Sequence, residues 1–139
     1  MKNKVLFLCV ANSARSQIAE GLAKVILGDK AEVHSAGSMP SKLNPLSVLV
    51  MQEVGIDISK HYSKSFQDLP KEFQENLNYV VTLCAEEVCP TILPTVAQRL
   101  HWPLVDPAGE EGTLERQLER FRKTRNDISN LLESLALRL

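Results

Sequence analysis

The sequence predicts an α/β fold, with a four-stranded parallel sheet flanked by helices on both faces. Two observations carry this expectation. Val5–Leu8 and Tyr79–Leu83 are short, almost unbroken apolar runs, the pattern of strands buried on both faces of a parallel sheet. Stretches with helical spacing of apolar residues separate the strand candidates, so strand and helix alternate along the chain, as in doubly wound sheets with right-handed crossovers.

The first run, Val5–Leu8, leads straight into Cys9. Gln17–Leu27 then places Ile18, Leu22, Val25 and Ile26 on one helical face, and Gly28 stands where a left-handed C-terminal cap belongs. Glu32–Ala36 is a second, short strand, followed by a loop over Gly37–Asn44 rich in Ser, Pro and Gly. From Pro45, the residues Leu46, Leu49, Val50 and Val54 suggest a second helix that stops at Gly55. Residues 56–65 read as irregular, and Leu69–Leu77 as a short helix. Tyr79–Leu83 is the third strand with Cys84 at its end, and Leu100–Leu104 is the fourth, ending before Asp106-Pro107. Thr113 caps a last helix carrying Leu114, Leu118, Phe121, Ile128, Leu131, Leu132 and Leu135, with its charges on the solvated face.

Ligands of such sheets bind beyond the carboxyl ends of the strands. Cys9, Cys84 and Asp106 each follow a strand, so all three are expected to converge there. A loop from a buried strand to a helix N-terminus gathers free N–H groups and the positive end of the helix dipole. Val10, Ala11, Asn12, Ser13, Ala14, Arg15 and Ser16 would form such an anion cradle, with the Cys9 sulfur at its floor. N–H donors and a nearby cation favour the thiolate. Arg15 offers a planar fork that matches two oxygens of a tetrahedral oxyanion. Ser16 is placed to donate to the Cys9 sulfur, and Asn12 tolerates left-handed backbone. The plain alternative is a buried structural cysteine beside a surface arginine, which the placement between strand and helix disfavours.

The 139 residues suit a single domain spanning 1–139. A net charge of −1 gives no electrostatic case for nucleic acid or an anionic membrane. Met1-Lys-Asn-Lys before a short strand lacks the apolar length of a signal peptide, and no apolar run approaches membrane-spanning length. Three widely spaced cysteines do not make a disulfide framework, so a cytoplasmic, monomeric protein with functional thiols is expected. Scattered His34, His61 and His101 argue against zinc, and no metal or organic cofactor is expected.

Cys84-Ala-Glu-Glu-Val-Cys89-Pro90 leaves two readings open: a pair of packing cysteines, or a redox pair. In a regular helix, residues five apart have α-carbons separated by roughly 8.5 Å. A disulfide usually needs less than about 7 Å, so a bridged 84–89 segment must be non-helical or unwind.

Cys9-Val-Ala-Asn12-Ser13-Ala-Arg15-Ser16-Gln17, with Ala19-Glu20-Gly21 following, resembles the phosphate loop of low-molecular-weight protein tyrosine phosphatases, and more closely that of arsenate reductases on the same fold. Ser35-Ala-Gly37, Val80-Val-Thr-Leu-Cys84, Cys89-Pro90, His101-Trp102 and Asp106-Pro107-Ala-Gly109 are similar to the thioredoxin-linked reductases, so the resemblance covers nearly the whole chain. It implies a low-molecular-weight phosphatase-like fold and reduction of arsenate to arsenite, a detoxifying reaction that phosphate or sulfate would mimic as bound analogues. It also implies Cys9 as nucleophile, Cys84 and Cys89 as disulfide relay and Asp106 as general acid. Thioredoxin is the implied reductant, with glutaredoxin and glutathione as the alternative.

Some positions depart from the family. Ala11 stands where phosphatases of this fold usually carry Gly, and Ala108 where they place an aromatic, which argues against phosphotyrosine. Some relatives have an Asp of a potassium site shortly after a motif that His61-Tyr-Ser63 resembles; here that position is Lys64, whose ammonium is expected near Asn12, Glu20 and Ser35. A low-molecular-weight phosphatase using Cys9, Arg15 and Asp106, and a non-enzymatic oxyanion or redox sensor, are the rival functions.

Overall fold

The computed structural model describes residues 2–84, 97–109 and 111–139. The expectations on Cys89 and on the segment joining it to Cys84 therefore lie outside the described residues.

Four strands, β1 (Asn3–Cys9), β2 (Ala31–Gly37), β3 (Tyr79–Cys84) and β4 (Gln98–Leu104), form one parallel sheet in the order β2-β1-β3-β4. The helices are α1 (Arg15–Ile26), α2 (Pro45–Gln52), α3 (Lys71–Glu75) and α4 (Leu114–Ala136). The period of two along β1 divides its apolar run between two cores. Val5 and Phe7 meet Ile18, Leu22, Met51, Phe121 and Ile128 from α1, α2 and α4. Leu6 and Leu8 meet Leu69, Phe73 and Leu77 around α3. All four β1 residues are 0 % exposed. Each such burial is worth about 1.5–3 kcal/mol, so the strand that ends at Cys9 is the most firmly held element of the sheet.

β4, the outer strand, alternates exposed and half-buried residues and accommodates Pro103, as an edge strand can. Because β2 lies to one side of β1 and β3 to the other, the crevice of such a fold opens at the carboxyl end of β1. Register places Cys9 opposite Gly37 and Cys84 opposite Leu104, with a shift between Thr82 and Cys84. All four strand ends thus share one edge.

Two helical faces differ from the sequence pattern. On α1, Ile18 and Leu22 are buried as predicted, joined by Ala19 and Ala23, while Val25 is 64 % exposed. A β-carbon added to Gly21 would lie 2.8 Å from Ile58 and 2.9 Å from Met51, so residues 56–58 and α2 cover the outer side of the first turns. Val25, one turn further along that row, is beyond their reach. On α2, Val50 and Met51 are buried, whereas Leu49 is on the exposed side of the helix and Val54, also exposed, lies past its regular end at Gln52. Gly28 takes the left-handed conformation expected after α1, with φ of 52°. Thr113 caps α4 by accepting from the Arg116 N–H at 3.2 Å, and Leu114 in its first turn is exposed. No described helix is long and apolar enough to cross a membrane.

Candidate active site

The loop between β1 and α1 is held by its carbonyl groups. Val10 O accepts from Met39 N–H, Ala11 O from Ser41 N–H and Ser13 O from Asn44 N–H, at 2.9–3.1 Å. Asn12 O accepts from the Ser63 hydroxyl at 2.7 Å and from the Gln17 amide at 3.1 Å. With the carbonyls committed outward, the backbone N–H groups of residues 11–14 donate to no acceptor among the described residues. The N-terminus of α1 also lacks a capping side chain and carries no acid in its first turn. Uncapped N–H groups at a helix start are what a bound anion would satisfy.

Asn12 has φ of 51°, the left-handed turn predicted for it, and no other described non-glycine residue has positive φ. Ala11 therefore needs none of the freedom a glycine would supply. Gly37 does matter, since a β-carbon there would overlap the Val10 carbonyl oxygen and lie 2.9 Å from Asn12 N. Its small size lets the loop close down on the end of β2.

Cys9 is 2 % exposed and its sulfur sits 2.9 Å from the Ser16 hydroxyl oxygen. Arg15, 4 % exposed, donates from Nη1 to the Leu104 carbonyl at 3.0 Å, and its Nη2 lies 3.9 Å from Asp106 Oδ2. Asp106 takes its orientation from its own turn, Oδ1 accepting from Ala108 N–H at 3.0 Å. Cys9, Ala11, Ser13, Ala14, Arg15 and Asp106 line one small cavity. The arrangement offers a sulfur, a guanidinium, free N–H donors and a carboxyl group to a single tetrahedral anion.

Behind the loop lies a charged cluster. Glu20 Oε1 meets the Lys64 ammonium at 3.2 Å and accepts from the Ser35 hydroxyl at 2.6 Å, and Oε2 meets Lys24 at 2.9 Å. Burial alone would raise the Glu20 carboxyl, but Lys64, Ser35 and Lys24 overcome it and hold the group down at about 2. Lys64 also reaches Ser35 at 3.4 Å, while its backbone N–H donates to Asn12 Oδ1 at 3.0 Å. The ammonium thus occupies the position expected for it. No group of three or more His, Cys, Asp or Glu among the described residues is arranged to hold a metal ion.

Residues 4–139 match the model of the low molecular weight phosphotyrosine protein phosphatase family. The chain belongs to that family. Within it, the chain is similar to arsenate reductases among others. An arsenate reductase of Bacillus subtilis is 45% identical over 139 residues, covering 98% of this chain and 97% of the relative. A solved structure described as an arsenate reductase in the phosphate binding state superimposes with a TM-score of 0.80 at 34% identity, over 99% of this chain and 98% of that one. A thioredoxin-dependent arsenate reductase of Corynebacterium glutamicum gives 0.72 at 32% identity, over 99% of this chain and 64% of that one.

The structure brings several of the sequence-predicted residues together. Cys9, the loop 10–16, Arg15 and Asp106 come together around one cavity. Cys84 lies at the same sheet edge, buried and disulfide-bonded, whereas Cys9 is a free thiol. The sequence set Gln17 inside the loop motif and His61-Tyr-Ser63 just before Lys64 but assigned them no task; Gln17 and Ser63 brace Asn12, and His61 braces Gln17. The signal for Gln17 was a polar residue on a helix whose first turns are buried all round. For residues 61–63 the resemblance marked the segment, but an irregular stretch carries no periodicity to say what it touches.

Proposed function

We propose that this protein reduces arsenate to arsenite, with Cys9 as nucleophile and Cys84 and Cys89 as a disulfide relay. The observation that carries the reading is the single cavity uniting the Cys9 sulfur, Arg15, Asp106 and a loop of undonated N–H groups. The reductase relatives add the choice of oxyanion, and Ala108, in place of an aromatic, removes a surface on which a phosphotyrosine ring would stack.

In this reading the loop N–H groups and the Arg15 fork bind arsenate, and the Cys9 thiolate attacks arsenic. Asp106 gives its proton to the departing oxygen, which leaves as water. The Cys84 thiolate then attacks the Cys9 sulfur. The sulfur–arsenic bond breaks with its electron pair moving to arsenic, arsenite departs, and a Cys9–Cys84 disulfide remains. Cys89 attacks Cys84 in turn, freeing the Cys9 thiolate and leaving a Cys84–Cys89 disulfide. An external dithiol, thioredoxin by analogy with the Corynebacterium glutamicum relative, returns the pair to thiols. A cytoplasmic setting would keep such a pair reducible.

The test is arsenite formation from arsenate by the purified protein, with thioredoxin, its reductase and NADPH compared against glutaredoxin plus glutathione. Repeated turnover with thioredoxin is expected. Arsenite at background with both systems, alongside sustained hydrolysis of an aryl phosphate, would instead make the protein a phosphatase.

A further inference from the structure

We infer that Gln17 holds the anion loop in its binding shape before any ligand arrives, acting as a positioning residue through Asn12. The inference rests on reading residues 9–16 as an oxyanion cradle. Gln17 is fully buried in the first turn of α1. Its amide nitrogen lies 3.1 Å from Asn12 O, 3.1 Å from Asn12 Oδ1 and 2.9 Å from the Tyr62 carbonyl. All three are acceptors, so the NH2 end of the amide faces them. Oε1 then faces His61 Nδ1, 3.1 Å away. That nitrogen is also 3.6 Å from Glu20 Oε2, so it has only acceptors around it and carries the ring proton. Burial pushes the His61 imidazole below its ordinary value, in keeping with a neutral ring donating from Nδ1.

Left-handed backbone is unfavourable for a residue with a side chain. Asn12 adopts it while Gln17 engages both its backbone carbonyl and its side-chain oxygen. Asn12 Nδ2 donates to Ser16 Oγ and Ser35 Oγ, whereas its backbone carbonyl and Oδ1 are also held by Ser63 Oγ and Lys64 N, from the segment 61–64 that Gln17 itself ties down through Tyr62 O and His61. Gln17 is therefore the junction between the loop and its brace. Without its donors the loop spends part of its time in shapes whose N–H groups do not converge. A ligand must then select the competent fraction, and its apparent dissociation constant rises by the inverse of that fraction.

The experiment is calorimetric titration of inorganic phosphate into reduced wild type, Gln17→Met and Gln17→Glu, with the melting temperature of each measured alongside. Met keeps the volume but has no donor, and phosphate should bind about 10–100-fold more weakly if the competent fraction falls to between a tenth and a hundredth. Glu is the closer isostere yet sets oxygens against three acceptor oxygens, so it should bind phosphate more weakly than Met does. A packing role predicts the reverse order. Turnover at saturating arsenate should fall much less than kcat/KM, since bound substrate re-forms the loop. A folded Gln17→Met protein with unaltered phosphate affinity overturns the inference. If neither variant folds, hydrogen exchange of the Gln17 side-chain amide in ligand-free wild type decides. Slow exchange is required, and exchange at the solvent rate refutes it. Failure of wild type to bind phosphate at all would remove the cradle reading beneath it.

Discussion

The Cys9 sulfur and the Ser16 hydroxyl oxygen lie 2.9 Å apart, and Asn12 fixes which of them donates. Asn12 Oδ1 accepts from Gln17 and from Lys64 N–H, so its Nδ2 is the end that faces Ser16 Oγ, at 2.6 Å, and donates to it. The Ser16 proton is left for the sulfur, where it stabilises a thiolate. A hydrogen bond to a charged group is worth about 1.5–3 kcal/mol, so Ser16→Ala should slow iodoacetamide alkylation of Cys9 at neutral pH by roughly tenfold or more. An unchanged alkylation rate would mean that Cys9 is the donor.

Arg15 is committed at one end to the Leu104 carbonyl and faces Asp106 at the other, which leaves its planar head fixed at the cavity. Lysine keeps the charge but has no fork, and cannot hold Leu104 O and two ligand oxygens in one plane. Arg15→Lys should weaken phosphate inhibition and lower kcat/KM for arsenate by about 10–100-fold, equivalent to one or two charge-assisted hydrogen bonds. Near-wild-type constants for the lysine variant would show that only the charge counts.

Glu20 and Lys64 give the loop support a pH dependence with a definite sign. The Glu20 carboxyl titrates at about 2 in the folded protein against an ordinary value of 4.5. Its contribution is therefore complete above pH 4.5 and is lost as pH falls towards 2. Glu20→Gln strands the buried Lys64 ammonium and should cost about 3 kcal/mol at pH 7 by urea denaturation. The gap between variant and wild type should narrow between pH 4.5 and 2, and a constant gap would place the stabilisation elsewhere. Because the ammonium already sits against Glu20 and Ser35, sodium and potassium buffers should give equal stability and activity. A gain specific to potassium contradicts this.

The sheet was readable from the chain because Val5–Leu8 is buried on both faces and Tyr79–Leu83 nearly so, and continuous burial leaves an unbroken apolar run. Cys9, Arg15 and Asp106 were readable because strand ends and helix starts dictate where their side chains go. Val25 misled, since helical periodicity records how apolar a row is and not how far its covering segment extends. The bracing of Asn12 by Ser63, and of Gln17 by His61 and Tyr62, was hidden for another reason. Those contacts cross more than forty residues, and two of them are made by backbone atoms or to backbone acceptors, which leave little trace in residue identity.

Asp106 stands half-exposed at the cavity mouth, one oxygen anchored by Ala108 N–H and the other towards Arg15. Asp106→Asn preserves that turn but cannot deliver a proton. Hydrolysis of a small aryl phosphate, whose leaving group needs one, should fall by about 10²–10⁴-fold. An aryl phosphate with a leaving group that departs unprotonated should be hit far less. Equal losses on both substrates would assign Asp106 to orienting Arg15.

The cysteine relay makes the sharpest separation between reductase and phosphatase, because each thiol fails at a different step. Cys9→Ser should abolish arsenate reduction and aryl phosphate hydrolysis together. Cys84→Ser should stop at the Cys9–arsenic adduct and release little arsenite. Cys89→Ser should complete about one turnover, since a single Cys9–Cys84 disulfide consumes both remaining thiols and only Cys89 can free the nucleophile internally. That disulfide should accumulate and be visible by mass spectrometry of the peptides. Neither relay variant should impair hydrolysis of an aryl phosphate, which uses the cradle and Asp106 alone. In oxidised wild type the bridge should join Cys84 to Cys89, and the residues between should lack helical protection in hydrogen exchange, because an intact helix would hold the pair roughly 8.5 Å apart at their α-carbons. If both variants turn over arsenate repeatedly with thioredoxin, the two cysteines are packing residues and the reductase mechanism must run through Cys9 and the external thiol alone.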